Sequence, residues 1–374
     1  MKKRTTIIIL ILLAATFGGA LYYLFQKNQI FRPLNFKIFM RNLIVIGASA
    51  GGIKAISKVI QGISETIDAA ILIVLHVSHK SSAHNISEIF QRSTALECLV
   101  ASDGVEIERG KIYLAPPEHH LIVSDHLLHL TKGPEENKYR PSIDVLFRSA
   151  AVHFSNKIIG IILTGMLDDG TSGMWAIKRS GGACIVQDPN QAEYPDMPLS
   201  VINNMDVDFV SELGLIGGLL TELTSFGQDS EAPVQAPQEV ILESQIAEKT
   251  AVGIDAVEQI ADKSVFACPD CGGNLWAVKG DVINRYRCHI GHAYTEQDLV
   301  VKQAETASAT LWVALRMMEE RKHLLRKLEV DYAQKGYTSL SMDHLERKEE
   351  MQQHIDTLKI ILADLQRHET STSY

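Results

Sequence analysis

Gly47-Ala48-Ser49-Ala50-Gly51 sets one hydroxyl among four small residues, directly after the apolar run Leu43 to Ile46. The pentapeptide satisfies G-x-S-x-G and stands where that pattern has meaning, after a strand and before a helix. Small neighbours let the backbone turn tightly and lift the hydroxyl off the sheet edge. The helix that follows offers free N–H groups and the positive end of its dipole. The same turn could cradle a phosphate or simply join strand to helix, so a nucleophilic Ser49 needs a base. His76 ends the apolar strand AAILIVLH, and C-terminal strand ends share one edge of an open α/β sheet. His79 and His84 in the following loop are lesser candidates. His119, His120, His126 and His129 fall in a later meander, where surface positions are expected. A third strand runs IILTGMLDDGTSG and brings Asp168 and Asp169 to the same edge. Either carboxylate could orient an imidazole, and an Asp-Gly turn with a helix N-cap accounts for at least one of them.

Cysteine spacing points to a second kind of chemistry. Cys268-x2-Cys271 followed by Cys288-x3-His292 offers four ligands able to close tetrahedrally around Zn²⁺, with Gly272, Gly273 and Gly291 supplying tight turns. His289 adjoins Cys288, but the wider spacing and intervening glycine favour His292. A fully occupied set leaves no position for a substrate water, so a structural rather than catalytic zinc is expected, with no cofactor for catalysis. Cys98 and Cys184 read as buried thiols. Zinc thiolates suit a reducing interior.

The elements that must position these groups follow from apolar periodicity. NLIVIG, AAILIVLHV, KIIGIILTG and GACIVQD are continuous apolar runs, as expected of strands covered on both faces. Helical spacing between them, in IKAISKVIQGIS and SIDVLFRSAAVHF, predicts an α/β fold: a doubly wound, mostly parallel sheet. KIYLAPPEHHLIVSDHLLHLT interrupts that rhythm and reads as a small antiparallel meander. Residues 40–226 form the expected α/β domain, 227–262 a Pro- and Gln-rich linker, 263–298 a zinc-ribbon-like module and 299–368 an α-helical hairpin. Its seams are Leu311, Leu315, Met318, Leu325 and Leu328 against Met351, Ile355, Leu358, Leu362 and Leu365. That hairpin is expected to bind a partner helix, to self-associate, or to pair internally on the ribbon.

Over 374 residues, 46% apolar and 22% charged composition is that of an ordinary globular protein of two or three units. A net charge of −9 gives no reason to expect nucleic acid as a partner. Residues 5–25 carry no charge and, at about 1.5 Å per residue, are long enough to cross a bilayer. Residues 1–39 are therefore a candidate anchor and connector, tethering a cytoplasmic catalytic domain to the inner membrane. Flanking basic residues leave the orientation near a tie. Met40 just before the first strand is the competing start.

GASAGG, the strand-closing LH, RPSIDVLFRSAA, LTGMLDDGTSGM and DPNQAEYPDMPLSVI together resemble the catalytic domain of the CheB-type chemotaxis protein-glutamate methylesterases, over roughly residues 41–210. The resemblance implies Ser49 as nucleophile, His76 as general base and Asp169 as orienting acid. It also implies that Asp168 is dispensable and that the backbone N–H of Met166 receives the oxyanion. The implied reaction is hydrolysis of glutamyl γ-methyl esters, with deamidation of glutamine at the same sites, on the helical arms of methylated chemoreceptors. Arg140 is a weak candidate for contact with those acidic helices, and equally a surface residue leading into a helix. CPDCGG…RYRCHIGHAY resembles the zinc-ribbon segment of some stand-alone family members, and a form without a receiver domain before the esterase is expected. The alternative is a non-catalytic sensory scaffold working through its ribbon and hairpin.

Overall fold

The computed structural model describes residues 42–78, 80–225, 234–249 and 253–371. The candidate anchor at residues 5–25 and the lesser candidate His79 lie outside the described residues. Among the described residues, no helix is long and apolar enough to cross a membrane.

In chain order the first ten strands are β1 (Asn42–Ala48), β2 (Ala69–Leu75), β3 (Glu97–Val100), β4 (Val105–Glu106), β5 (Lys111–Leu114), β6 (His120–Ser124), β7 (Leu127–Thr131), β8 (Ile158–Ile162), β9 (Ala183–Gln187) and β10 (Phe209–Ser211). Seven of them form one sheet in the order β10-β9-β8-β1-β2-β5-β3, with every pairing parallel. β2 is buried along its whole length, which is why its sequence shows no alternation. From β1 the chain first winds outward through β2 and later returns to add β8 on the other side. The order therefore reverses beside β1, where open α/β sheets build their sites.

KIYL does not belong to the meander: it is β5, inserted in parallel between β2 and β3, its Ile112, Tyr113 and Leu114 buried. The antiparallel part is the smaller sheet β4-β7-β6. His120, expected at the surface, is also buried. Its Nδ1 accepts from the Ser142 N–H at 3.2 Å, so Nε2 carries the proton and donates to the Pro134 carbonyl at 2.8 Å. Both ring nitrogens are satisfied by main chain distant in sequence, which permits burial of a neutral imidazole.

Helices α1 (Gly52–Gln61), α2 (Ala83–Gln91), α3 (Ile143–Phe154), α4 (Thr171–Arg179), α5 (Asp196–Asn204) and α6 (Leu213–Ser225) cover the large sheet. In the segment expected to be a linker lie α7 (Gln238–Glu248) and α8 (Ile254–Glu258). α7 packs against α3 and buries Val240, Glu243 and Ile246. Strands β11 (Ala261–Ala267), β12 (Asn274–Val278), β13 (Arg285–Cys288) and β14 (Ala293–Thr295) then make an antiparallel sheet. The chain ends in α9 (Glu296–Gln334) and α10 (Thr338–Ser371), with Gly336 at φ 77 in the turn between them. Leu315, Ile355 and Leu362 form the centre of that hairpin, flanked by Leu311, Met318, Met351 and Leu358.

α3, α7, β13 and the loop at Glu136 meet through buried charge, beside an apolar cluster that joins Ile246 of α7 to Trp276 of β12. Glu243 of α7 accepts from Arg285 of β13 at 2.6 Å, with Arg287 and Arg148 of α3 within 4.0 Å. Glu136 is held between Arg148 and Arg287. Burial raises the pKa of Glu243, but the three guanidinium groups outweigh it and hold the carboxyl well below its usual 4.5. Its stabilising contribution is complete above the unfolded value and is lost only as pH falls through the depressed folded one. Glu243→Ala leaves buried guanidinium groups uncompensated, and a loss of about 3–5 kcal/mol is expected in denaturant unfolding at neutral pH.

Candidate active site

Ala48 pairs with Leu75, so Ser49 and His76 are the next residues on neighbouring parallel strands, whose spacing is about 4.8 Å. The His76 N–H donates to the Ala48 carbonyl at 3.0 Å and the Ser49 N–H to the Thr164 carbonyl at 3.0 Å, binding the ends of β2, β1 and β8 together. Thr164 tightens this knot: its hydroxyl donates to the Ala50 carbonyl at 3.1 Å and accepts from the Tyr194 N–H at 2.9 Å. The turn depends on glycine. Gly51 sits at φ 75, and a Cβ on Gly165 would lie 2.8 Å from the Ser49 Cβ and collide with the Met197 sulfur. Gly165→Ala is expected to cost about 1–3 kcal/mol by overpacking and to displace Ser49, read by denaturant unfolding and by loss of turnover.

The structure separates the two adjacent aspartates. Asp169 is buried and lies 3.0 Å from His76 Nε2 through Oδ2. It also accepts from the Ile143 N–H at 2.7 Å, Asn137 Nδ2 at 2.8 Å, the Ser142 hydroxyl at 3.0 Å and the Asp144 N–H at 3.3 Å. The carboxylate thus caps the free N–H groups of α3 from a distant loop, where the helix dipole favours negative charge. Burial alone would push its pKa up, but the His76 hydrogen bond and charge, with the Ile143 and Asn137 donors, hold it below the usual carboxylate range. Asp168 turns the other way, toward Thr295 and Asp298, and burial followed by the Asp298 charge pushes it up to about 7. It lines a cleft of about 580 Å³ walled by α5 and by Asn284, Thr295 and Glu296.

Both ring nitrogens of His76 are buried: Nε2 lies 3.0 Å from the Asp169 carboxylate, and Nδ1 has no partner among the described residues. Tyr139 stacks on the imidazole, with ring centroids 3.6 Å apart and planes 10° from parallel. Burial, then the charge of Asp169, pushes the Tyr139 phenol up to about 12, so the covering ring is neutral. Neither Tyr139, directly before the RPSID stretch, nor Asn137, two residues further upstream, carries a sequence signal of this role. A third residue, Asp144, receives the other Asn137 hydrogen bond at 2.8 Å. Burial and the neighbouring Asp169 charge push the Asp144 carboxyl above its ordinary value.

Met166 lies beyond the end of β8, half exposed, and its N–H donates to no other group among the described residues. The next residue, Leu167, has φ 66, a left-handed conformation uncommon for leucine and often met at sites. Arg140 is already engaged, donating to the Gly133 carbonyl at 2.8 Å and to Glu118 at 3.0 Å. The metal candidates do converge: ligand atoms of Cys268, Cys271, Cys288 and His292 all lie within 4.8 Å of one another. The Cys271–Cys288 sulfur separation is 3.8 Å and Cys288 Sγ to His292 Nδ1 is 3.5 Å, close to the edges of a tetrahedron with bonds of about 2.3 and 2.0 Å. The group can hold a metal ion.

Ser49 and His76 directly follow neighbouring parallel strands, and Asp169, in the loop after β8, reaches the imidazole, an arrangement of the kind met in serine hydrolases with an α/β core. The chain belongs to the CheB methylesterase family, whose model matches residues 44–220. A Leptospira interrogans relative, provisionally named a protein-glutamate methylesterase/protein-glutamine glutaminase, is 38% identical over 181 residues, covering 48% of this chain and 93% of its own. The Methanosarcina barkeri protein-glutamate methylesterase/protein-glutamine glutaminase is 34% identical over 195 residues, covering 50% of this chain and 53% of its own length. The crystal structure of the Thermotoga maritima CheB methylesterase catalytic domain is 30% identical, covers 49% of this chain and 98% of its own, and superposes with a TM-score of 0.46.

Proposed function

We propose that the chain hydrolyses glutamyl γ-methyl esters, and deamidates glutamine at equivalent positions, on helical proteins of the methyl-accepting chemoreceptor type. Ser49 Oγ attacks the ester carbonyl as His76 takes its proton, and Asp169 holds the imidazole in orientation and stabilises its cation. The tetrahedral oxyanion is received by the Met166 N–H, a kind of donor worth about 2.7–4 kcal/mol in the transition state. On collapse, His76 returns the proton to the departing methoxide and methanol leaves. Water, deprotonated by the same imidazole, then attacks the acyl-Ser49 ester and frees the glutamate. The observation that carries this reading is the 3.0 Å His76–Asp169 pair, on the strand next in register to the one that ends at Ser49.

The Cys268, Cys271, Cys288 and His292 group is read as a closed structural zinc site, since four protein ligands leave no place for substrate. Three thiolate ligands suit a reducing compartment, which supports a cytoplasmic catalytic unit. Incubating the full chain with a methylated receptor and measuring released methanol tests the function. Ester-dependent methanol that disappears in Ser49→Ala is the expected result. Turnover of small esters with none on the receptor would instead mark a general esterase, and no difference between the two chains would leave a non-catalytic scaffold.

A further inference from the structure

The groups that bracket His76 and Asp169 come from one short turn, and the metal-ligating module grips that turn from outside. Glu136 and Tyr139 close it, with the Tyr139 N–H donating to the Glu136 carbonyl at 3.0 Å and the Glu136 N–H to the Tyr139 carbonyl at 3.3 Å. Its two central residues, Asn137 and Lys138, have φ 52 and 66, the left-handed pair of a type I′ turn. Asparagine tolerates that conformation, but lysine does not favour it, so the turn needs outside support.

That support is the C-terminal module. The Asn137 N–H donates to the Ala293 carbonyl at 2.9 Å, and Glu136 forms a parallel bridge to Ala293, the residue after His292. Arg287, the residue before Cys288, pairs with the Glu136 carboxylate. Lys138 Nζ lies 3.7 Å from Asp298. From the inner side of the same turn, Asn137 Nδ2 holds Asp169 and the Tyr139 ring covers His76. The outer contacts at Ala293 and Arg287 are each made by the residue directly adjacent to a member of the ligand set.

We propose that the Cys3His module is a working part of the esterase site: by clamping the 136–139 turn, it keeps Asn137 and Tyr139 where they position Asp169 and His76. Loading of the four-ligand group thereby sets the turnover rate of a centre to which it contributes no reacting atom. Asn137 and Tyr139 are positioning residues in this scheme. The proposal rests on Ser49, His76 and Asp169 forming the reactive centre.

The test uses the full chain, zinc-loaded and then stripped by a chelator under reducing conditions. Two quantities are read: the rate at which a fluorophosphonate labels Ser49, by mass, and the low-field imidazole proton resonance of the His76–Asp169 pair, assigned by its absence in His76→Gln. Stripping is expected to slow labelling about a hundredfold, the scale of a misplacement near 1 Å, and to remove the resonance, with Zn²⁺ restoring both. Far-UV circular dichroism of the large sheet should persist throughout. Equal labelling and an unchanged resonance in loaded and stripped chains overturn the proposal. Should stripping unfold the chain, loaded Tyr139→Ala and Tyr139→Phe decide. Slow labelling in the alanine variant, with KM for a small ester unchanged and most of the rate recovered by phenylalanine, supports the clamp. Equal rates in both variants and the wild type overturn it. A loaded wild-type chain that is not labelled at Ser49 at all overturns the reactive-centre reading itself, and the clamp with it.

Discussion

Ser49→Ala is expected to lower kcat for ester hydrolysis by about 10⁶-fold, the scale seen when a serine nucleophile is removed from such a centre. The reason is local. The backbone of the turn is fixed by the Ser49 N–H to Thr164 bond, by the Thr164 hydroxyl and by close packing of the Ser49 Cβ against Gly165, none of which uses the Ser49 hydroxyl. Alanine therefore leaves the turn, His76 and Asp169 in place and deletes only the attacking oxygen. Stability should stay within about 0.5 kcal/mol of wild type in denaturant unfolding. A large loss of activity with matched stability separates a chemical role from a structural one. Loss of both together would mean that the hydroxyl holds the turn.

Asp169→Asn is expected to lower kcat about 10⁴-fold and, unlike the serine variant, to destabilise the chain as well. The carboxylate is surrounded by donors alone: His76 and the Ile143 N–H at Oδ2, and Asn137, Ser142 and the Asp144 N–H at Oδ1. An amide can offer only one acceptor oxygen. With its NH₂ toward His76 it confronts the Ile143 N–H and forces the imidazole into the wrong tautomer. Turned around, it sets N–H against three donors. Either way at least one buried donor of α3 or its cap loses its partner, at a cost of about 1–3 kcal/mol. Kinetics and denaturant unfolding on the same preparation read both effects. Full activity in the asparagine variant would assign the orienting role elsewhere, Asp168 being the nearest alternative.

How much of this was legible depended on the range of the interactions. Continuous apolar runs ending in Ser49 and His76 are local signals, and they pointed to a parallel sheet and a shared edge. Cys268, Cys271, Cys288 and His292 were visible because ligand spacing is itself local. Asp168 and Asp169 could not be told apart by propensity. Their difference is written by Asn137, Ser142 and Ile143, more than twenty residues away in sequence. Tyr139 carried no local mark of its place over His76. Burial of His120 and of Arg148, Arg285 and Arg287 was hidden for the same reason, since a charged or polar residue reads as solvated until its partners from other segments are known. β5 reads as part of the meander because Pro116-Pro117 stands one residue beyond its end, although its own apolar run suits the parallel sheet.

The central claim is that Ser49 becomes transiently acylated because an imidazole and a carboxylate serve it from adjacent strand ends. Acid quenching of the full chain during turnover of an activated acyl ester, followed by proteolysis and peptide mass measurement, tests it most directly. The account predicts the acyl mass on the peptide bearing Ser49, accumulating in the wild type and missing in His76→Ala. Turnover with the acyl group on a different residue, or undiminished turnover in Ser49→Ala, would contradict it.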